Sequence, residues 1–148
     1  MTILHLINNL SSKTRFHFTG LPIILCGDFN SQPSSNAYQL VTTGKSQYTV
    51  EDKTLNSSSN KCAIKLQFAH QLTFDALSGI LNSTHYTPKF SGTIDYIFGR
   101  RGYFKVEKVI PPRKSDDINS NFRLPTSAFP SDHFAIICDI SLVHNNSR

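Results

Sequence analysis

No apolar run in this chain of 148 residues approaches the ~20 positions that a membrane-spanning helix needs, so no membrane partner is expected. Dense clusters of Lys or Arg are missing too. Lys plus Arg number 15 and Asp plus Glu 10, a net charge of +5 that favours a polyanionic partner such as nucleic acid without marking a binding patch. Cysteine is scarce. Its three copies are an odd count without regular spacing, which argues against a disulfide framework and against a zinc site, and reads as a reduced intracellular protein. Cys26 and Cys138 sit inside apolar runs, where a free thiol packs as a small hydrophobe, whereas Cys62 lies in a polar stretch. The opening MTILHLINNL has no basic region and no cleavage site, which excludes a signal peptide there. No internal repeat is visible. What remains is 39% hydrophobic and 17% charged, the balance of an ordinary globular domain long enough to bury a core.

The elements follow from periodicity. Ile3, Leu4, Leu6, Ile7 and Leu10 recur at helical spacing. Leu21 to Cys26 is short, continuously apolar and β-branched, which predicts a strand buried on both faces, with Gly27 ending it and a polar loop from Asp28 to Ser35. Ser34 or Ser35 is a candidate cap for a helix through Ala37, Tyr38, Leu40 and Val41, with Gly44 as its stop. Residues 45–61 are rich in Ser, Asn, Lys and Thr and read as a surface loop. A weak helical pattern follows around Ile64, Leu66, Phe68 and Leu72. Three strands are expected at Thr93 to Phe98, Tyr103 to Ile110 and Phe134 to Leu142, the last apolar enough to be central. In the second, Phe104 and Val106 are expected on one face and Lys105 and Glu107 on the other. A long irregular loop from Pro111 to Pro130 separates the last two. Strands with a few helices make the class α/β or α+β.

Three acidic clusters fall at or beside the predicted strands. In Gly27-Asp28-Phe29-Asn30 a carboxylate and an amide two residues apart point the same way along an extended backbone. The carboxylate can hold or deprotonate a water, and the amide can donate to a phosphate oxygen. Asp95 is a lone carboxylate in the apolar strand Thr93-Ile94-Asp95-Tyr96-Ile97-Phe98, where burial is costly without a partner. Ser131-Asp132-His133 offers a carboxylate beside an imidazole, directly before the last strand. A pairing of Asp95 with His133 is expected, because a carboxylate orients an imidazole and favours its cationic form. Such a cation would stabilise the charge that develops on a phosphodiester, with Asp28 and Asp132 near a divalent metal. Each cluster has a plainer reading. An Asp-Asn pair after a strand is more often a turn, and an Asp-His pair before one is often a loop contact. Their order along the chain is far more specific than any one of them. The other five histidines, His5, His17, His70, His85 and His144, show no ligand spacing and read as structural or solvent-exposed.

PIILCGDFNSQP, FSGTIDYIF and LPTSAFPSDHFAIICDISL together resemble the endonuclease/exonuclease/phosphatase superfamily, in the branch that holds the deadenylases and the mitochondrial 2′,5′-phosphodiesterases. The resemblance is strongest in these blocks and weak from 45 to 75. It implies a two-layer β-sandwich flanked by helices, of the DNase I-like kind, with the site at one end of the sheets. It implies hydrolysis of adenylate-rich RNA, either 2′,5′-oligoadenylate or poly(A), with Mg²⁺ as cofactor and Mn²⁺ as the alternative. Asp28 and Asn30 match the family's water-activating carboxylate and phosphate-binding amide, and Asp95 the carboxylate behind the catalytic histidine. Asp132 and His133 match the metal-side carboxylate and that histidine. The implied metal set is Asp28, Asn30 and Asp132, and the implied substrate contacts are Asn30, Phe90 and His133. Two readings stand for Phe90: a platform for a stacked adenine, or a loop aromatic packed on the core. A nucleotide or RNA-end phosphatase and a non-catalytic short form are the rival functions. The mitochondrial matrix is the implied compartment, with the cytoplasm as the alternative.

One departure shapes a further expectation. The family's metal-binding Glu, its partner Asn and a second phosphate-contacting His lie upstream of the GDFN strand and have no counterpart here. Residues 1–148 are therefore expected to be the C-terminal half of the domain, with apolar surface left bare, low stability and little activity alone.

Overall fold

The computed structural model describes residues 20–51, 63–69, 72–81, 83–110 and 124–143. The helix expected over the first ten residues and Cys62 lie outside them. The architecture is strand-rich with a short helix, in agreement with the mixed α/β class. Strand β1 (Ile24–Asp28) pairs antiparallel with β7 (Asp95–Arg100), which pairs antiparallel on its other side with β4 (Phe74–Ala76). The register sets Asp28 opposite Asp95. Two ribbons, β2 (Lys45–Glu51) with β3 (Ala63–Ala69) and β8 (Phe104–Ile110) with β9 (Ile137–Leu142), accompany this sheet. A small hairpin, β5 (His85–Tyr86) with β6 (Ser91–Gly92), completes the set.

Helix α1 spans Asn36–Thr43 as its sequence signals predict. The Ser35 hydroxyl accepts the Tyr38 N–H, and Gly44 at φ 73° closes the helix by donating to the Leu40 carbonyl. The α1 residues Tyr38, Leu40 and Val41 pack on the sheet. Phe74, Tyr96 and Phe98 are almost wholly buried and form the core with Val41 and the partly buried Ile23, Leu25, Phe29 and Leu72. Tyr96 and Phe98 stand on one face of β7, their rings stacked at 4.9 Å, and Phe29 meets the Phe98 ring edge-on at 5.0 Å.

Several expectations need correction. Residues 45–51 are a strand, not a loop, and the stretch around Ile64, Leu66 and Phe68 is its partner strand rather than a helix. A spacing of two is strand periodicity, and pairing with β2 selects it. Strand β1 begins at Ile24, runs through Gly27, and is not buried on both faces. Ile24 and Cys26 are exposed because they point to the face opposite Ile23 and Leu25, which pack on the core. Cys26 is therefore no core thiol, and Cys138 is only partly buried. Strand β9 is not central. Among the described residues it pairs with β8 alone, and Ile137 and Leu142 are exposed. The expected strand at β8 is present, with Phe104 partly buried and Val106 exposed.

Candidate functional site

Thr84, fully buried, ties the site together. Its Oγ1 accepts the N–H groups of both Ile94 and Asp95 at 3.1 Å, which holds the start of β7. Its N–H donates to Gly92 in the hairpin and its carbonyl accepts the Phe134 N–H. One step along, His85 forms an antiparallel bridge with His133, and the Tyr86 N–H donates to the Asp132 carbonyl. The short β5 strand thus lies between β6 and the segment carrying Asp132 and His133. On the other side, the Phe29 N–H donates to the Ile94 carbonyl, continuing the β1–β7 ladder past Asp28.

These backbone links bring distant side chains to one rim of the sheet. The His133 Nδ1–H donates to Asp95 Oδ2 at 2.9 Å, the pairing expected from the residue types alone. One ligand atom each from Asp28, Asp95 and His133 lies within 4.8 Å of the others. Asp28, Asn30, His85, Phe90, Ile94 and His133 line an open cleft of about 310 Å³. Asp28 and Asn30 do not share an extended backbone. The Asn30 N–H donates to Asp28 Oδ1 at 2.7 Å and Asn30 adopts φ 47°, so the pair makes an Asx turn that still faces the cleft. The Tyr96 hydroxyl steadies the loop, donating toward the carbonyls of Ser31 at 2.7 Å and Thr93 at 2.9 Å.

Asp132 turns to His85 instead of joining Asp28. His85 Nε2 stands 3.2 Å from Asp132 Oδ2. His85 belongs to the site, contrary to its reading as structural or exposed. Its ring meets His133 edge-on at 4.6 Å and Phe90 at 5.4 Å. No local pattern marks it, because its partner lies 47 positions away. Phe90 is partly exposed beside the cleft, so it is not a core residue.

The electrostatics follow from this crowding. Burial works against a charged His133, but the hydrogen bond to Asp95 and the nearby carboxylates of Asp95, Asp132 and Asp28 outweigh it and raise its pKa above the ordinary 6.5. Asp28 and Asp95 face each other in register, an arrangement that repels unless positive charge sits close by. The cationic form of His133 provides some. Hard oxygen donors beside an imidazole also fit a divalent cation, and a second group, His85, Asp132 and His133, has ligand atoms equally close.

A model of the endonuclease/exonuclease/phosphatase family matches residues 7–133, nearly the whole chain. The chain belongs to this family. Among its relatives, "2',5'-phosphodiesterase 12" of Mus musculus is 35% identical over 123 residues, 83% of this chain and 20% of that protein. The Bos taurus protein of the same name is 36% identical over the same length. A Mycosarcoma maydis "CCR4-Not complex 3'-5'-exoribonuclease subunit Ccr4" is 32% identical over 127 residues, 85% of this chain and 19% of that protein. The chain spans about a fifth of the length of these curated relatives. Among the described residues, no helix is long and apolar enough to cross a membrane.

Proposed function

We propose that this chain carries half of the active site of a metal-dependent phosphodiesterase that hydrolyses adenylate-rich RNA, either 2′,5′-oligoadenylate or a poly(A) 3′ end. The observation that supports it most is the meeting of Asp28, Asp95 and His133, with Asp28 and His133 lining one cleft and His133 bonded to Asp95. The names of the relatives, a 2',5'-phosphodiesterase and an exoribonuclease subunit, support the substrate class.

In this reading Asp95 holds the His133 imidazole by Nδ1 and favours its cationic form, which steadies the charge that grows on the phosphate oxygens. Asn30 donates its side-chain amide to the same phosphate. Asp28, with Oδ1 held by the Asn30 N–H, aligns the attacking water and takes its proton. Phe90 stacks the adenine at the cleft edge. Asp28 and Asn30, with Asp132 from the side where His85 holds it, are the residues that would hold Mg²⁺, with Mn²⁺ as the alternative, and the ion would supply positive charge to the phosphate. We also propose that residues 1–148 form the C-terminal half of a two-layer sandwich, which the apolar groove beside β1 supports, and that the protein acts in the mitochondrial matrix.

The deciding assay gives the full-length protein Mg²⁺ and three substrates: 2′,5′-oligoadenylate, 3′,5′-oligoadenylate, and a nucleotide or RNA bearing a terminal phosphate. Cleavage of either oligoadenylate is expected. Release of phosphate alone would move the reading to a phosphatase, and no turnover of any of the three would overturn it.

A further inference from the structure

His85 is more than a neighbour of the site. Its ring is mostly buried, its Nε2 meets Asp132 Oδ2 at 3.2 Å, and its ring plane stands at 72° to that of His133. Its backbone bridges to His133, so ring and partner share one ladder. We infer that His85 is a positioning residue: it holds the Asp132 carboxylate by donating from Nε2 and backs the His133 imidazole. Two His–carboxylate pairs then interlock, His133 with Asp95 and His85 with Asp132. This inference rests on the proposed phosphodiesterase reading of the cleft.

Hydrogen-bond chemistry selects this role over that of a metal ligand. An ionised carboxylate only accepts, so the proton of the His85–Asp132 bond sits on Nε2. The other ring nitrogen, Nδ1, is buried and has no hydrogen-bond partner among the described residues. If Nε2 bound a metal, Nδ1 would carry the proton, and a buried N–H would face no acceptor. Metal-ligating imidazoles almost always give their other N–H to an acceptor. The tautomer that leaves Nδ1 bare is the one that donates to Asp132. Asp132 is about half exposed, with a side-chain exposure of 46%, so without His85 its carboxylate is free to rotate.

The test uses the full-length protein with Mg²⁺ and oligoadenylate. His85→Phe keeps the ring bulk and removes the donor. It is expected to lower kcat about 10–100-fold, the usual effect of losing a residue that orients a metal-site group, with KM little changed. His85→Gln returns an N–H near the Nε2 position and is expected to recover most of the loss. Equal rates for His85→Phe and wild type, or equal losses for Phe and Gln in variants that melt like wild type, would overturn the inference. A second arm does not depend on turnover. Histidine ¹⁵N spectra are expected to show the His85 proton on Nε2, with that preference weakened in Asp132→Asn. A proton on Nδ1 would refute the pairing even in an active enzyme. An inactive wild type would refute the functional reading, and the spectra would still decide the fate of His85.

Discussion

The His133 imidazole is bonded to the Asp95 carboxylate and lies in the field of Asp132 and Asp28, and its titration is the most direct residue-scale check. Its native pKa is raised above the unfolded value of about 6.5. A raised pKa means that this contribution to stability is complete below pH ~6.5 and disappears as pH rises through the elevated native value. NMR titration of the ring is expected to give a midpoint above 6.5, and Asp95→Asn is expected to bring it down. A midpoint unmoved by that substitution would mean the Asp95 contact is not what shifts it. Catalysis offers a second check. Asp28→Ala or His133→Ala in the full-length protein should each lower kcat by orders of magnitude, and the double variant by little more, because such residues act as a unit. The residue types of the Asp95–His133 pair were readable along the chain, since a carboxylate inside an apolar strand demands a partner. His85 was not, because nothing near position 85 in sequence requires a carboxylate.

Elements decide how firmly those residues are held. Thr84 accepts two amide N–H groups with one hydroxyl, so Thr84→Val leaves a buried donor and a partly buried one unpaired. A loss of about 2–4 kcal/mol is expected in denaturant unfolding, with Thr84→Ser much milder. Gly99 on β7 is packed against the side chains of Leu77 and Phe104. A Cβ there would come within 2.5 Å of Leu77 Cδ1 and 2.7 Å of Phe104 Cδ2. Gly99→Ala is expected to cost about 1–3 kcal/mol by overpacking, read as a lower melting temperature. Helix α1 was legible because Ser34 or Ser35 and Gly44 are local signals, and the structure selects Ser35 as the cap. Strands β2 and β3 were not, because each finds its bonding partner across an intervening polar stretch. The β5–β6 hairpin is shorter still, two residues a side, and only its contacts on both flanks define it.

At the scale of the whole molecule the apolar surface is the leading feature. A groove of about 330 Å³ between β1 and the β8–β9 ribbon is lined by Pro22, Ile24, Phe104, Ile140 and Leu142. Ile24, Ile137 and Leu142 are each more than two-fifths exposed. Uncovered surface of this kind binds hydrophobic dyes and promotes association. The isolated 148-residue chain is expected to enhance ANS fluorescence and to elute above its 16.6 kDa mass on gel filtration. A monomer silent to ANS would show that this face is satisfied as it stands.

By itself the sequence determined the family, the mixed class and α1, and it pointed to five candidate site residues at 28, 30, 95, 132 and 133, because motifs and caps are local in the chain. The tertiary structure decided how they meet. Antiparallel register set Asp28 against Asp95, the bridge from β5 brought His133 to Asp95, and the same bridge drew His85 onto Asp132. Residues separated by tens of positions become neighbours only through pairing between strands, and no local pattern encodes which strand will lie beside which.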